Sequence, residues 1–500
     1  MRMTVTVEAF KDYLKKIKSY EEALNLMAWD LRTMIPKKGM EQRSDVIGQL
    51  SETIHTLKTS DDMKRFLDEL PAQVDDDPVM KQMLNVCQKD YDRDSKIPTA
   101  EYTAFVTLRS KAETVWQEAR ENNDFSILAP YLEQLVAYNQ RFSDYWGYKD
   151  NRYNGLLDQY EPGLTTDVLD PVFDQLKQAL ATLVKKIQAS DVDVDASQLL
   201  HYFPKDKQQA LSLSVLDKMG YDFDAGRLGE TIHPFAIGIS QGDVRVTTRY
   251  DEQDFRMAIF GTIHEGGHAL YEQNIDPAFA LTPLAEGTSM GIHESQSLFW
   301  ENFVGRSEAF WKSQYKSFLS FAPEAFQTIE QSDFYRAINE VKPSFIRIEA
   351  DELTYSLHII IRYELEKALI DGSLKVKDLP EAWNDKMESY LGIRPTTDRE
   401  GVLQDIHWAA GDFGYFPTYA LGYMYAAQLH EAMGKDINIP MMIQTNDFEP
   451  MKQWLTEHVH RHGRMKQPLE IITDVTGEGL NPDYLVNYLT AKYQAIYQFD

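Results

Sequence analysis

Apolar residues recur with the period of an α-helix through most of this 500-residue sequence. From Phe10 to Met27 they fall on one side of a helix, with charged residues between them. Similar stripes lie at 101–121, 127–146, 167–188, 206–219, 252–274, 286–304 and 349–370. Proline and glycine occupy the gaps between the stripes, as expected where helices end. The pattern predicts a mainly α-helical fold.

One segment, residues 233–252, departs from the helical period. Two short runs of β-favouring residues flank Gln241-Gly242-Asp243, which predicts a β-hairpin. The hairpin ends where the helical stripe at 252–274 begins. An exposed strand at this place could hydrogen-bond an extended peptide, or the ribbon could be purely structural. The sequence pattern leaves both interpretations open.

The charge balance excludes two classes of partner. The chain has 51 Lys and Arg against 78 Asp and Glu, a formal net charge of −27, and no basic stripe. Nucleic acids and anionic membrane surfaces are bound through clustered basic residues, so neither is expected as a partner.

Cysteine usage and hydropathy predict the compartment. Cys87 is the only cysteine, which excludes an intramolecular disulfide and a cysteine-built metal site. No run approaches the roughly 20 apolar residues of a membrane span, and no apolar signal-peptide core follows the first residues. We therefore expect a cytoplasmic protein.

The sequence His264-Glu265-Gly266-Gly267-His268 lies inside the helical stripe at 252–274. Histidines four residues apart share one face of a helix, so both imidazoles can bind one metal ion. Glu265 is then placed to take a proton from a water molecule activated by that ion. Each glycine costs up to about 1 kcal/mol relative to alanine in a helix. We expect close approach of substrate or of a neighbouring backbone to justify that cost.

A third metal ligand must come from elsewhere in the chain. Asn274 occupies the place where a third histidine would extend the motif, so a glutamate on a following helix is the alternative. The segment 286–301 offers Glu286, the pair His293-Glu294 and Glu301. A His-His-Glu set favours Glu294 modestly, and Glu301 could accept a hydrogen bond from a ligand imidazole.

Several separate blocks of the sequence resemble the carboxypeptidase Taq family of metallocarboxypeptidases. Beyond HEGGH, they are Asp243–Thr247 (DVRVT), His293–Gln296 (HESQ), Ile346–Asp351 (IRIEAD) and Gly401–Trp408 (GVLQDIHW). The general form of that motif, H-E-x-x-H, is shared by many proteases, but the whole set in this order is specific. The first 230 residues carry no matching motif.

The resemblance implies a two-lobed helical body with a deep cleft and the small ribbon beside the metal-binding helix. Within one peptidase unit (1–500), residues 1–230 would form a helical N-terminal lobe and 231–500 the catalytic lobe. The implied activity is release of single C-terminal residues from short peptides, with broad side-chain tolerance and poor release of proline. The family is usually homodimeric.

The resemblance also implies roles for individual residues. His264, His268 and Glu294 would hold zinc, or sometimes cobalt, and Glu265 would be the general base. This strengthens Glu294 over His293 as the third ligand.

A carboxypeptidase must hold a free carboxylate, and a planar guanidinium does so bidentately. The residues alone offer five candidates without ranking them: Arg245, Arg249, Arg347, Arg394 and Arg399. The resemblance favours Arg347 for substrate binding, with Asp351 orienting it and Arg245 as a further contact.

Cleavage also needs donors for the charge that develops on the peptide carbonyl. A glycine-bearing segment supplies His407, Tyr415 and Tyr419, and it is similar to the substrate loop of related helical oligopeptidases. Tyr423 is a third phenol, and core packing would explain the tyrosines equally well. The aromatic pattern does not decide which tyrosine donates.

Two other functions compete with the carboxypeptidase. An endo-acting helical metallo-oligopeptidase would need no clamp for a C-terminal carboxylate. A non-catalytic binding protein with a structural metal would need no base between the two histidines, and such a site tends to be closed by four protein ligands. Glu265 therefore argues for a hydrolase.

Overall fold

The computed structural model describes residues 5–499, and helices make up most of them. The mainly α prediction is confirmed. The α-helices of these residues are α1 (Val7–Thr33), α2 (Met40–Lys58), α3 (Asp61–Glu69), α4 (Pro78–Lys96), α5 (Thr99–Asn122), α6 (Phe125–Trp146), α7 (Tyr153–Leu157), α8 (Thr166–Gln188), α9 (Lys205–Met219), α10 (Arg256–Gln273), α11 (Met290–Leu298), α12 (Glu308–Phe321), α13 (Gln331–Ala337), α14 (Tyr355–Asp371), α15 (Leu379–Leu391), α16 (Pro417–Asp436), α17 (Ile439–Thr445), α18 (Glu449–His458), α19 (Pro468–Thr476) and α20 (Asp483–Tyr497).

The last predicted stripe, 349–370, begins too early. Residues Arg347–Glu349 form a short 3₁₀ turn, and α14 starts only at Tyr355. The Asp351 side chain accepts hydrogen bonds from the backbone N–H groups of Leu353 and Thr354, which holds the chain in a turn before the helix. Local side-chain bonding to the backbone therefore outweighs the helical pattern here.

The predicted hairpin is present and belongs to a three-stranded sheet. Strand β2 (Ala236–Ser240) pairs antiparallel with β3 (Asp243–Thr248), with an irregularity near the turn. Strand β1 (Leu228–Glu230) pairs parallel to β3 on the other side, so β3 is central. Three residues containing a glycine carry no alternating pattern, which is why sequence periodicity missed β1.

One continuous hydrophobic core joins the two predicted halves of the chain, with buried members from Phe10 to Tyr497. Across the predicted boundary at residue 230, the Asn25 side chain of α1 donates to the Gly238 carbonyl of β2 (3.0 Å). The division into 1–230 and 231–500 stays a prediction. None of the helices within residues 5–499 combines the length and apolar character that a membrane crossing requires.

Candidate active site

Helix α10 places both histidines of the HEGGH motif beside Glu294 of α11. The Glu294 Oε2 atom lies 3.8 Å from His264 Nε2 and 3.5 Å from His268 Nε2. Among the described residues, these three are the one group whose ligand atoms all lie within 4.8 Å of one another. Two imidazole nitrogens and a carboxylate oxygen facing a common point fit a divalent ion of the zinc type.

The glycines of the motif allow this approach of α10 to its neighbours. A Cβ atom on Gly267 would lie 2.5 Å from the Gln296 carbonyl oxygen and 2.6 Å from Ser297 Cα, both backbone atoms of α11. A Cβ on Gly266 would meet the side-chain ends of Leu216 and Met219. A neighbouring backbone therefore accounts for Gly267, as expected.

A buried carboxylate that lies outside every sequence motif anchors the start of α11. Glu161 accepts hydrogen bonds from Ser289 Oγ (3.1 Å), from the Gly291 backbone N–H (3.0 Å) and from Tyr425 OH (2.9 Å). Acceptors at a helix N-terminus satisfy its free N–H groups. Glu161 thus holds the helix that presents Glu294.

The outer nitrogen of each ligand imidazole has a hydrogen-bond partner. His264 Nδ1 lies 2.9 Å from Glu301 Oε2, and Glu301 also accepts from Arg306. Glu301 stands in a π-helical turn, Phe299–Gly305, that continues α11. Such turns shift the facing of side chains and occur often at functional sites. Glu301 therefore fixes the ring of His264 so that its Nε2 atom faces the position expected for the metal ion.

His293 lies outside the ligand group, although it precedes Glu294 in the sequence. Its Nδ1 is 2.6 Å from His268 Nδ1, and its Nε2 is 2.7 Å from Glu272 Oε1. When His268 Nε2 faces the position expected for the metal, its Nδ1–H donates to His293 Nδ1. The other ring nitrogen of His293, Nε2, then donates to Glu272. The alternative in which His293 binds the metal does not fit this arrangement.

Glu265 lies between the two histidines and lines a cavity of about 730 Å³ with them. Burial raises the pKa of its carboxyl to about 7. A carboxylate with such a pKa can both accept and return a proton near neutral pH. The position and the pKa suit a general base.

The cavity lies between residues of both predicted halves of the chain. Its walls include α1 and α4 on one side, the start of β2 at Pro234–Ala236, and the HEGGH helix. Four cations that no motif marks also line it: Lys18, Lys58, Arg93 and Arg464. Each is ion-paired with Glu21, Asp90, Asp94 or Glu286. Sequence spacing reveals the local pairs Lys18–Glu21 and Arg93–Asp90, but not that these cations meet at one cavity, because that depends on how distant helices pack.

Two of the predicted loop residues reach the cavity. Tyr415 and Tyr419 line it, with ring centroids 5.3 Å apart, and His407 Nε2 lies 3.4 Å from Tyr419 OH. Tyr423 is buried and donates instead to Glu352, so it is removed from the candidates. Burial lowers the pKa of His407 to about 4, which makes the imidazole neutral.

Arg347 is buried and packs against Tyr419, one of the rings that line the cavity. Its guanidinium lies 5.1 Å from the centroid of Tyr419 and is not itself part of the wall. Nε and Nη2 donate to Asp405 Oδ1 (3.0 and 2.9 Å), and Nη1 donates to Tyr355 OH (3.1 Å). Tyr355 is a neighbour that no sequence block identified.

The structure places two of the predicted substrate-binding residues in other contacts. Asp351 does not orient Arg347, because it accepts from Leu353, Thr354 and the Lys342 backbone N–H in the turn before α14. The orienting carboxylate is Asp405. Arg245 is ion-paired with its strand neighbour Asp243 (2.6 Å) and is not part of the cavity wall.

Comparison with known proteins decides the family. Residues 9–493 match the family described as carboxypeptidase Taq (M32) metallopeptidase. The chain belongs to this family. It is 56% identical to carboxypeptidase 1 of Bacillus subtilis, over 98% of both chains, and 40% identical to thermostable carboxypeptidase 1 of Thermus thermophilus, over 94% of this chain and 95% of the relative. The crystal structure of an M32 carboxypeptidase from Deinococcus radiodurans superimposes with a TM-score of 0.95 at 35% identity, covering 98% of both chains.

Family membership confirms the resemblance read from the separate blocks. The chain is a metallocarboxypeptidase with the helical metallopeptidase fold, and the family implies a divalent metal. The match starts at residue 9, so it also includes the N-terminal helices for which no motif was found.

Proposed function

We propose that the chain hydrolyses the last peptide bond of short peptides with broad side-chain tolerance, using Glu265 as the general base. The observation that carries the proposal is the placement of Glu265 between His264 and His268, on the wall of a cavity that also contains Glu294. A purely structural metal site would not need a buried carboxylate facing the same space.

The proposed reaction divides the work between the metal and the chain. A divalent ion held by His264, His268 and Glu294 would polarise the peptide carbonyl and make water more acidic. Glu265 takes a proton from the attacking water and returns it to the leaving amine, so the carboxylate is regenerated. The phenols of Tyr415 and Tyr419 are the cavity-lining donors available for the carbonyl oxygen.

We propose Arg347 as the group that binds the substrate's C-terminal carboxylate. Three of its five N–H groups donate to Asp405 and Tyr355, and the described residues offer no partner to the other two. Two free N–H groups can take a carboxylate bidentately. The cavity-lining ring of Tyr419 packs against this guanidinium, with its centroid 5.1 Å away, so the clamp would lie beside Tyr419.

Three further properties rest on the family resemblance. We propose zinc as the metal, with cobalt able to support activity, because a His-His-Glu set is the ligand set of hydrolytic zinc. We also propose a homodimer in the cytoplasm. Metal analysis of protein purified without added metal tests the first, and light scattering of the purified protein tests the second.

The decisive experiment compares an unblocked octapeptide with its C-terminal amide by mass spectrometry over time, with zinc or cobalt added. We expect a ladder that loses one residue at a time from the free C-terminus. The amide and the Glu265→Gln variant should both remain uncleaved. Internal cuts in both peptides would instead establish the endo-acting oligopeptidase and remove the role of Arg347.

A single variant tests the carboxylate clamp. Arg347→Ala should raise KM at least tenfold while the protein still binds its metal, because it removes the substrate contact and the pair with Asp405 but no metal ligand. Near-normal KM in this variant would show that another cation, such as the cavity-lining Lys18, binds the carboxylate.

A further inference from the structure

A second arginine that no sequence block marks lies beside the proposed carboxylate clamp. Arg362 of α14 donates from Nε to Asp405 Oδ2 and from Nη2 to Gln404 Oε1, at 2.6 and 2.7 Å. The other oxygen of Asp405 accepts from Arg347. Asp405 therefore bridges two guanidiniums, one on each carboxylate oxygen.

Arg362 is too deeply buried to contact substrate in this structure. It is 0% exposed, it packs 4.5 Å from the centroid of the Trp383 indole, and Nη1 donates to the His358 carbonyl (2.8 Å). Burying a charged side chain is costly unless it is paired with good geometry, as Arg362 is with Asp405. Arg362 therefore requires an explanation other than direct binding.

The charges of this cluster do not cancel. Within residues 5–499, the ion pairs of Arg347 and Arg362 both end on Asp405, so two cations share one anion. The neighbouring imidazoles add no charge, because burial lowers the pKa of His407 to about 4 and that of His358 well below its usual value. The net charge is (+2) + (−1) = +1.

We infer that Arg362 is a positioning residue: it neutralises Asp405, so that Arg347 keeps a net positive charge for the substrate's C-terminal carboxylate. The inference rests on the proposed function of Arg347. Without Arg362, Asp405 would neutralise Arg347 fully and a second carboxylate would meet a neutral pair. Asp405 could still orient the guanidinium, but the attraction for substrate would be lost.

The test measures kcat and KM of the metal-loaded enzyme on an unblocked tetrapeptide for a set of variants. Arg362→Gln should raise KM on the order of tenfold, the effect of one buried charge a few ångströms away, with kcat within about threefold. Arg362→Lys keeps the charge and should fall closer to wild type. Metal content per chain is measured for each variant and should not change.

The double variant Arg362→Gln/Asp405→Asn separates charge from structure. It removes one cation and one anion, so the net charge returns to +1 and KM should fall at least threefold below that of Arg362→Gln, while the loss of the orienting carboxylate keeps it above wild type. A purely structural role for Arg362 predicts the opposite, a double variant at least as impaired as Arg362→Gln. That result, or a normal KM in Arg362→Gln, would overturn the inference.

Two further comparisons cover a variant that does not fold and a failure of the proposed Arg347 clamp. If Arg362→Gln does not fold, the double variant, in which a buried pair is neutralised together and is often tolerated, is compared with Asp405→Asn, which lacks the same carboxylate but keeps the charge of Arg362. Equal KM values in these two variants would then refute the inference. If Arg347→Ala has a normal KM, the proposed clamp fails first. A raised KM in Arg347→Ala with a normal KM in Arg362→Gln isolates the failure to Arg362.

Discussion

Substituting alanine for Gly267 should separate the two helices that hold the metal site. The new Cβ would lie 2.5 Å from the Gln296 carbonyl oxygen, whereas ordinary contacts begin near 3.4 Å. The helices must therefore move apart by about 3.4 − 2.5 = 0.9 Å. Neither α10 nor α11 can avoid this by rotating a side chain, because Gln296 O and Ser297 Cα belong to the backbone.

This displacement acts directly on the metal ligands. His268 follows Gly267 on α10, and Glu294 lies two residues before Gln296 on α11. A functional constellation tolerates about 0.5 Å of error, so a shift of about 0.9 Å should lower metal affinity tenfold or more. Overpacking should also cost about 1–3 kcal/mol of stability, partly offset by up to about 1 kcal/mol of helix propensity.

Gly266→Ala is the matched control. It gains the same helix propensity at the neighbouring position, but its Cβ meets only the movable ends of Leu216 and Met219. Metal affinity is measured by competition with a chromogenic chelator, and stability by thermal unfolding of the metal-free protein. Equal metal affinities in Gly266→Ala and Gly267→Ala would refute the reasoning that the α10–α11 distance sets the site.

Three more predictions concern the surroundings of the site. Glu301→Gln should lower metal affinity about 10–100-fold in the same competition assay, since the imidazole loses its charged acceptor; an unchanged affinity would contradict this. Partial burial would raise the pKa of Glu286, whose side chain is 47% exposed, but Lys18 and Arg464 outweigh it and hold the pKa at about 2. The ionised carboxylate therefore stabilises the fold above about pH 4.5, and this contribution is lost as the pH falls from 4.5 to 2. Glu286→Gln should accordingly flatten the pH dependence of the melting temperature in that window, and a slope equal to wild type would speak against the ion pair. Tyr419→Phe should reduce kcat, whereas Tyr423→Phe should alter melting temperature but not kcat, because only the Tyr419 ring lines the cavity.

The sequence by itself determined the features that depend on spacing within one element. The helical period predicted α1, α5, α6, α8 and α9 closely, because a buried face recurs every three to four residues. The same rule places His264 and His268 on one face of α10. A turn between two β-favouring runs was sufficient to predict β2 and β3.

The choice among near neighbours in the sequence needed either the family resemblance or the structure. Spacing alone left Glu286, His293 and Glu294 open, and the resemblance favoured Glu294. The structure gives the physical reason: Glu294 faces α10, His293 bonds the outer side of His268, and Glu286 pairs with Lys18. Adjacent residues on a helix point about 100° apart, so packing decides which of them faces the position expected for the metal ion.

Contacts between distant segments were decided only by the tertiary structure. Arg347 pairs with Asp405, 58 residues away, rather than with Asp351, because the chain turns before α14 and never forms the helix that would bring Arg347 and Asp351 together. The Arg362 bridge to the same carboxylate has no sequence signal at all. Periodicity and motifs report which face of an element is buried, whereas the partner that a buried charge finds depends on how the elements pack.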